Sequence, residues 1–223
     1  MSLPTISRMR IERIEASKHK RGRVLVFLAD GACLKITEQD LLDFGLRSGD
    51  DLDQEVLDRL KEAAGVSNVK ATAADLIGQR AMSRSALEKK LKEKGASEAE
   101  ARYAAEWLEA IGAINDGEYA VLLAQHCARQ GYGPQRVREK LREKGVPREL
   151  WDEALDSMPD PAESIDRFLQ TKLRGKRPDE KEKKRLSDAL LRRGFFWPDV
   201  KAALNRLGAE LWEDLHGTER SDS

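Results

Sequence analysis

The sequence predicts a mainly α-helical protein, built from tandem three-helix repeats in an extended array and preceded by a small antiparallel β-segment. Three observations lead to this prediction. A six-residue sequence motif, called the repeated phrase below, recurs at a fixed interval. Strand-like alternation of apolar residues, with tight-turn signals, occurs only near the N-terminus. The composition favours helices. Of the 223 residues, 36% are charged, 40% are hydrophobic and 5% are aromatic. This balance fits a helical array with a wide solvated surface better than one large compact core.

The repeated phrase sets the architecture. Lys90-Leu91-Lys92-Glu93-Lys94-Gly95 recurs as Lys140-Leu141-Arg142-Glu143-Lys144-Gly145, and a degraded copy stands at Leu190-Leu191-Arg192-Arg193-Gly194. Leu91, Leu141 and Leu190, each four residues before the glycine of its copy, are about fifty residues apart, a period typical of stacked supersecondary modules. Each phrase predicts the end of a helix with a capping glycine, and the glycines are stops rather than functional residues.

Apolar positions repeat together with the phrase. The residues eight positions before the three glycines are Leu87, Val137 and Leu186, and those nine positions after them are Ala104, Ala154 and Ala203. Core positions that keep the same interval indicate that each unit buries one face against its neighbours. The predicted repeats cover residues 66–112, 113–158 and 159–210, and residues 211–223 form a polar tail, disordered beyond Leu215.

The N-terminal segment, residues 1–65, carries the strand signals. Residues 6–15 alternate loosely between apolar and charged side chains, residues 24–28 are a hydrophobic run, and Asp30-Gly31 returns the chain into residues 32–36. This pattern predicts a three-stranded antiparallel sheet. A short helix capped by Thr37 follows, and then a helix over residues 51–64 that Gly65 ends.

Several classes of protein are disfavoured. The chain has no Walker phosphate loop, no G-x-S-x-G elbow and no glycine-rich dinucleotide fingerprint, so we expect no enzymatic activity and no cofactor. The histidines and the two cysteines, Cys33 and Cys127, have no metal-ligand or CxxC spacing, which suits a reducing cytoplasm. No apolar run reaches the length of a membrane span, so we expect a cytoplasmic protein without a membrane partner.

Formal net charge is zero, so attraction to nucleic acid has to come from local clusters of basic residues. The candidate binding residues surround the loop Gly131-Tyr132-Gly133-Pro134 or end the middle helix of each repeat. They are Lys92, Lys94, Arg129, Tyr132, Arg136, Arg138, Lys140, Arg142, Lys144 and Arg193. Arginine for phosphate and tyrosine for base stacking suit a single-stranded polynucleotide or an acidic protein groove, and stacked repeats could align the helix ends as one basic stripe.

A simpler interpretation stands beside this one. Basic residues in the last turn of a helix complement its dipole, and Glu139 and Glu143 could neutralise the basic face of the loop region. The basic residues of positions 172–185 are interleaved with acids and are interpreted as a solvated connection. Phe195-Phe196-Trp197 is interpreted as core of the last repeat rather than as a stacking platform.

The sequence resembles the RecX regulatory proteins of bacteria over residues 6–210. The resemblance depends on three groups of residues taken together. They are Ser83-Arg84-Ser85-Ala86-Leu87 leading to Lys90-Leu91 and Gly95; Gly112-Ala113-Ile114-Asn115-Asp116 followed by Tyr119-Ala120; and Gly133-Pro134 leading through Val137 to Leu141 and Gly145. Ala120-Val121 after Tyr119 and Cys127-Ala128 before Arg129 depart from the family pattern.

The resemblance implies a curved array of helix-turn-helix-like repeats that binds along the groove of a RecA recombinase filament on DNA. Such a protein limits filament growth, ATP hydrolysis and strand exchange. The expected partners are therefore RecA and single- or double-stranded DNA within that filament, bound by a monomer. Two alternatives remain: an autonomous DNA-binding protein, and a pure protein scaffold in which the basic residues do not matter.

Overall fold

The computed structural model describes residues 8–18 and 21–216, with side chains up to residue 207. Within these residues the strands are β1 (Met9–Ala16), β2 (Arg23–Leu28), β3 (Cys33–Thr37) and β4 (Asp51–Leu52). The helices are α1 (Glu38–Asp43), α2 (Gln54–Gln79), α3 (Arg84–Glu93), α4 (Glu98–Ala110), α5 (Asp116–Arg129), α6 (Pro134–Glu143), α7 (Trp151–Asp156), α8 (Pro161–Leu173), α9 (Glu180–Arg192) and α10 (Trp197–His216). The predicted mainly α-helical class with a small N-terminal antiparallel sheet is confirmed.

The sheet has one strand more than the sequence predicted. Its order is β3-β2-β1-β4, and the short β4 pairs antiparallel with β1 through Met9 opposite Leu52. Ile11, Val26 and Ile36 point from the three longer strands into a core that α2 closes with Leu60. The helix thus covers one face of a sheet that would be marginal alone. Residues 6 and 7 of the predicted first strand lie outside the described residues.

The predicted helix end at Gly65 is wrong, because α2 begins at Gln54 and runs through Gly65 to Gln79. Asp53 caps its start by accepting a hydrogen bond from the Val56 backbone N–H at 2.8 Å. A Cβ atom at position 65 would come within 3.0 Å of the Glu100 carboxylate on α4. Gly65 therefore lies inside the helix, beside the Glu100 side chain, and it does not stop the helix.

The chain divides into two compact units. Of the described residues, the first contains those up to 81 and 87–114, with the sheet, α1, α2, most of α3, and α4. The second contains residues 82–86 and the described residues from 115 on, with α5 to α10. In the second unit α5, α6 and α7 surround a core with Ala124, Leu141 and Ala154. The helices α8, α9 and α10 surround another with Leu169, Leu190 and Val200. The boundaries proposed for the three repeats stay predictions.

The repeated phrase ends a helix at each copy, as predicted. Gly95, Gly145 and Gly194 have φ angles of 96°, 69° and 88°, a left-handed conformation that glycine adopts without strain. Leu91, Leu141 and Leu190 are buried four residues earlier, as are Leu87, Val137, Leu186, Ala104, Ala154 and Ala203 at the other repeating positions. The predicted tail overlaps α10, which continues to His216, and residues 217–223 lie outside the described part of the chain.

Candidate functional site

The loop before α6 is held by the turn that ends α9. Gly133 is the N-cap of α6, and its backbone N–H donates to the Arg193 carbonyl at 2.8 Å. The next free amide of α6, that of Gln135, donates to the Gly194 carbonyl at 3.0 Å. The carbonyl end of one middle helix thus satisfies the first amides of another, which favours both ends electrostatically.

This contact leaves no space for side chains. A Cβ atom at position 133 would lie 2.5 Å from both the Gly194 carbonyl oxygen and the Phe195 backbone nitrogen. A Cβ atom at position 194 would come within 2.7 Å of the Cβ of Arg136 and closer still to its backbone nitrogen. The glycines of the loop and of the helix end are therefore required by backbone packing between the second group of helices, α5 to α7, and the third group, α8 to α10.

Arg193 also takes part in this contact. Its guanidinium donates to the backbone carbonyls of Gly131 at 3.2 Å and Gln130 at 3.4 Å. It lies 5.1 Å from the centroid of the Phe168 ring. The side chain is half-buried and binds this chain's own loop. Of the ten candidate residues, Arg193 has a structural role that the sequence did not indicate.

A related contact joins the end of α6 to the segment before α3. The hydroxyl of the fully buried Ser83 donates to the Lys144 carbonyl and accepts a hydrogen bond from the Ala86 backbone N–H at 3.2 Å. A Cβ atom at Gly145 would lie 2.6 Å from the Ser85 hydroxyl. The backbone of Lys144 is therefore structural, whereas its side chain is exposed.

One flank of α6 is neutralised by ion pairs one turn apart. Arg136 pairs with Glu139, and Lys140 pairs with Glu143 at 2.8 Å. The hydrogen bond to Glu139 raises the pKa of Arg136, and the hydrogen bond from Lys140 lowers the pKa of Glu143. The simpler interpretation of this basic helix, a solvated face of ion pairs, describes these four residues well.

The other flank of α6 keeps its positive charge. Arg138 and Arg142 are four residues apart and therefore on one side of the helix, away from the flank of Arg136 and Lys140. Neither forms an ion pair with any residue that the structure describes. The Arg138 guanidinium lies 5.9 Å from the centroid of the Phe196 ring. This uncompensated flank, Arg138 and Arg142, is the strongest part of the candidate site.

The remaining candidates of the second unit differ in accessibility. Arg129 is exposed in the last turn of α5 and has no acidic partner among the described residues. Tyr132 is half-buried and packs against the core formed by α5, α6 and α7. Its ring is a poor platform for base stacking because that core covers part of it.

Lys92 and Lys94 belong to the first unit. Lys92 lies in the last turn of α3 and Lys94 just beyond it, and both side chains are exposed. A Cβ atom at the next residue, Gly95, would have open space around it, unlike one at Gly145 or Gly194. The end of α3 therefore makes no equivalent close backbone contact with the described residues. The stripe predicted to join these lysines to the basic residues of the second unit stays a prediction.

The aromatic run after Gly194 is only partly core. Phe195 is buried, but Phe196 is 36% exposed and Trp197, the first residue of α10, is 52% exposed. The interpretation of all three as core is thus wrong for the last two. Three consecutive aromatic residues at the start of a helix cannot all face the same side, which was a signal available in the sequence.

The described residues offer no site of another common kind. They contain no group of three or more His, Cys, Asp and Glu side chains placed to hold a metal ion. Burial raises the pKa of the Cys127 thiol, although Lys140 and Arg136 act in the opposite direction. None of the described helices is long and apolar enough to cross a membrane.

Residues 115–155 match the family model for the second three-helix domain of RecX. Solved structures share the fold. A crystal structure of regulatory protein RecX superposes with a TM-score of 0.67 at 24% identity, covering 88% of this chain and 99% of that one. The structure of RecX from Lactobacillus salivarius gives a TM-score of 0.60 at 20% identity, covering 66% of this chain and 99% of that one.

Curated relatives extend the similarity. Regulatory protein RecX of Pseudomonas entomophila is 32% identical over 147 residues, which cover 65% of this chain and 94% of that protein. The protein of the same name in Ectopseudomonas mendocina is 34% identical over 129 residues, which cover 57% and 86%. That of Bacillus licheniformis is 27% identical over 215 residues, which cover 94% and 81%. The chain therefore belongs to the RecX family of regulatory proteins.

Proposed function

We propose that this protein binds the nucleoprotein filament of RecA on DNA, along its groove, and mostly inhibits filament extension, ATP hydrolysis and strand exchange. It acts in the cytoplasm as a monomer and performs no chemistry of its own. Membership of a family of regulatory proteins supports this proposal, since RecX proteins are regulators of RecA. The chain's contribution is a surface that recognises both a protein lattice and phosphates.

The observation that carries the proposal is the uncompensated flank of α6. On the opposite flank, Glu139 and Glu143 neutralise Arg136 and Lys140. The net positive charge of the helix is therefore concentrated on the side of Arg138 and Arg142. Arginine binds phosphates and carboxylates through paired N–H groups, which suits both components of a filament. Arg129 adds a further exposed cation at the end of α5.

The test is a titration of the protein against preformed RecA filaments on single-stranded DNA, with ATP turnover as the readout at two salt concentrations. We expect turnover to fall as protein is added. The logarithm of the apparent association constant should fall linearly with the logarithm of the salt concentration, with a slope of about −0.7 for each contacted phosphate. The variant Arg138→Glu with Arg142→Glu should require at least about tenfold more protein for the same inhibition, because two attractive contacts become repulsive.

The matched control is Arg167→Glu with Lys61→Glu, which reverses two exposed charges, on α8 and α2, outside the candidate site. Unchanged ATP turnover at saturating wild-type protein contradicts the proposal. Equal binding of free DNA and of the filament, both lost in the double variant, favours an autonomous DNA-binding protein. Inhibition that neither the double variant nor salt alters favours a protein scaffold.

A further inference from the structure

The third group of helices carries an open groove between α9 and α10 with a volume of about 400 Å³. Its walls include Trp197 and Lys201 of α10 and Lys183, Lys184 and Asp188 of α9. No residue of the α6 flank lines it. We call it the α9–α10 groove.

An exposed aromatic side chain is available at this groove. Trp197 is 52% exposed, whereas Phe195 two residues before it is buried in the core. Indole rings that remain accessible in a polar groove are suited to stacking on a planar partner, since the alternative is exposure of a large apolar face to water. Leu204 provides further apolar surface along the same wall.

The groove lining has a small excess of positive charge, since three lysines stand against the carboxylates of Glu180 and Asp188. Lys183 pairs with Glu180 at 2.6 Å, but Lys184 and Lys201 have no acidic partner among the described residues. The segment that leads into α9 is strongly basic, with eight basic and three acidic residues between positions 172 and 185. One of the acids, Asp179, is used to cap α9 by accepting from the Glu182 backbone N–H at 2.6 Å. An anionic partner is therefore favoured at this groove.

We propose that the α9–α10 groove binds a short stretch of single-stranded DNA, with one base stacked on Trp197 and the adjacent phosphates at Lys184 and Lys201. An aromatic face combined with flanking cations is the usual arrangement for sequence-tolerant binding of single strands. Asp188 also lines the groove, and its carboxylate leaves the phosphates to the part of the groove near Lys184 and Lys201. A duplex does not fit this arrangement because its bases are already stacked.

The residue next to the groove in the chain contacts the flank of α6, although it does not line the groove itself. Phe196 precedes Trp197 in the chain, and the guanidinium of Arg138 lies 5.9 Å from its ring. The inference rests on the proposed function only in taking DNA as the partner, and it assigns the base contact to the third group of helices.

The test measures binding of a fluorescein-labelled oligothymidylate of about fifteen nucleotides by fluorescence anisotropy, without any recombinase. Trp197→Ala should weaken binding roughly tenfold, and Trp197→Phe should retain most of the affinity because an aromatic face remains. Leu122→Ala is the matched control, since Leu122 is also an exposed apolar residue, on α5. A hairpin duplex of the same length should bind all four proteins equally.

A second pair of substitutions tests the phosphate contacts. Lys184→Gln with Lys201→Gln should weaken oligothymidylate binding and reduce the magnitude of its salt slope by about 0.7 for each lost contact. Lys61→Gln with Lys89→Gln, at exposed positions of α2 and α3, provides the control for net charge. Circular dichroism and thermal unfolding verify that each variant is folded.

Three results overturn the inference. They are an affinity of Trp197→Ala within twofold of wild type, an equal loss in Trp197→Phe, and an equal loss for the duplex. If Trp197→Ala bound the oligothymidylate as wild type does but bound the RecA filament more weakly, the α9–α10 groove would be a protein-docking surface instead. The anisotropy assay contains no recombinase, so a negative result there does not contradict the proposed inhibition of RecA. Conversely, a protein that does not inhibit RecA can still be tested for binding of the oligothymidylate.

Discussion

The guanidinium of Arg193 donates a hydrogen bond to the backbone carbonyl of Gly131 at 3.2 Å, across the junction between the second and third groups of helices. The backbone carbonyls of the same turn accept hydrogen bonds from the first backbone N–H groups of α6. A residue that the sequence grouped with phosphate ligands thus fixes the position of the loop that precedes the candidate site. Some basic side chains thus stabilise the fold, whereas others remain free to bind a partner, and substitutions of single residues can tell the two kinds apart.

Replacing Arg193 should reduce stability. Arg193→Ala removes hydrogen bonds to the half-buried carbonyl of Gly131 and the exposed carbonyl of Gln130, together with a contact with the Phe168 ring. We expect the free energy of unfolding to fall by about 1–3 kcal/mol. Urea unfolding followed by circular dichroism measures the change. The matched control is Arg192→Ala at an exposed neighbouring position, which should change stability by less than about 0.5 kcal/mol. Equal losses in the two variants would contradict the structural role.

Two glycine substitutions separate packing from backbone strain. Gly133 has a φ of −85°, which any residue adopts, yet a Cβ there would lie 2.5 Å from backbone atoms of Gly194 and Phe195. Gly95 has a φ of 96° and open space around it. We expect Gly133→Ala to cost about 3 kcal/mol through overpacking against backbone atoms, and Gly95→Ala to cost roughly 1–2 kcal/mol through strain alone. The reverse order in thermal unfolding would show that the loop can move away from the α9 turn.

The sequence predicted features whose cause is local. Capping at Gly95, Gly145 and Gly194 follows from backbone preferences near each residue, and burial of Leu141 follows from helical periodicity, so both could be inferred. The position of Gly65 inside α2, beside the Glu100 side chain of α4, is encoded by no local pattern.

The candidate site was harder to predict for a related reason. Charge counting identified α6, but which of its cations are neutralised depends on rotamers, and the structure pairs Glu139 with Arg136 rather than with Arg142. Similarly, the use of Arg193 by the Gly131 loop is a contact between residues about sixty positions apart. The spacing of the repeats predicts where the helices end, but it does not predict which basic side chains at those ends form ion pairs within the chain and which can bind a partner.

Ser83 provides a test of the contact at the start of α3. Its buried hydroxyl caps the Ala86 amide and donates to the Lys144 carbonyl, so Ser83→Ala removes a helix cap and leaves a carbonyl without its partner. We expect a loss of about 1–3 kcal/mol in the free energy of unfolding. Ser85→Ala is the control at an exposed site two residues away. Because alanine has the higher helix propensity, we expect no loss there, and a loss of the same size would contradict the role assigned to the Ser83 hydroxyl.

Glu100 should make stability depend on pH. Hydrogen bonds from the backbone N–H and then the hydroxyl of Ser97 lower the pKa of Glu100 below its ordinary value of 4.5. Since the folded state holds the carboxylate more strongly than the unfolded chain does, this contribution is complete above pH 4.5 and is lost as pH falls through the lowered folded value. Glu100→Gln should therefore destabilise the protein at pH 7 and reduce its loss of stability in acid.

Thermal unfolding of wild type and Glu100→Gln between pH 7 and pH 3 measures this difference. Glu62→Gln, at an exposed position of α2, shows how much the removal of a carboxylate alone changes the curve. A difference between wild type and Glu100→Gln that grows as the pH falls would contradict the assigned sign, because protonation removes the charge that the Ser97 cap stabilises.

Freeing the neutralised flank of α6 should strengthen binding to the filament. Glu139→Gln with Glu143→Gln removes the carboxylates that pair with Arg136 and Lys140, and these cations then become available to phosphate. We expect tighter inhibition of ATP turnover at low salt and a steeper salt dependence, by about 0.7 in slope for each added contact. The control Glu149→Gln with Asp152→Asn makes the same change in net charge at exposed positions near the start of α7. An equal gain in the control would attribute the effect to overall charge, whereas a gain confined to the α6 variant would show that the glutamates limit the affinity of this helix.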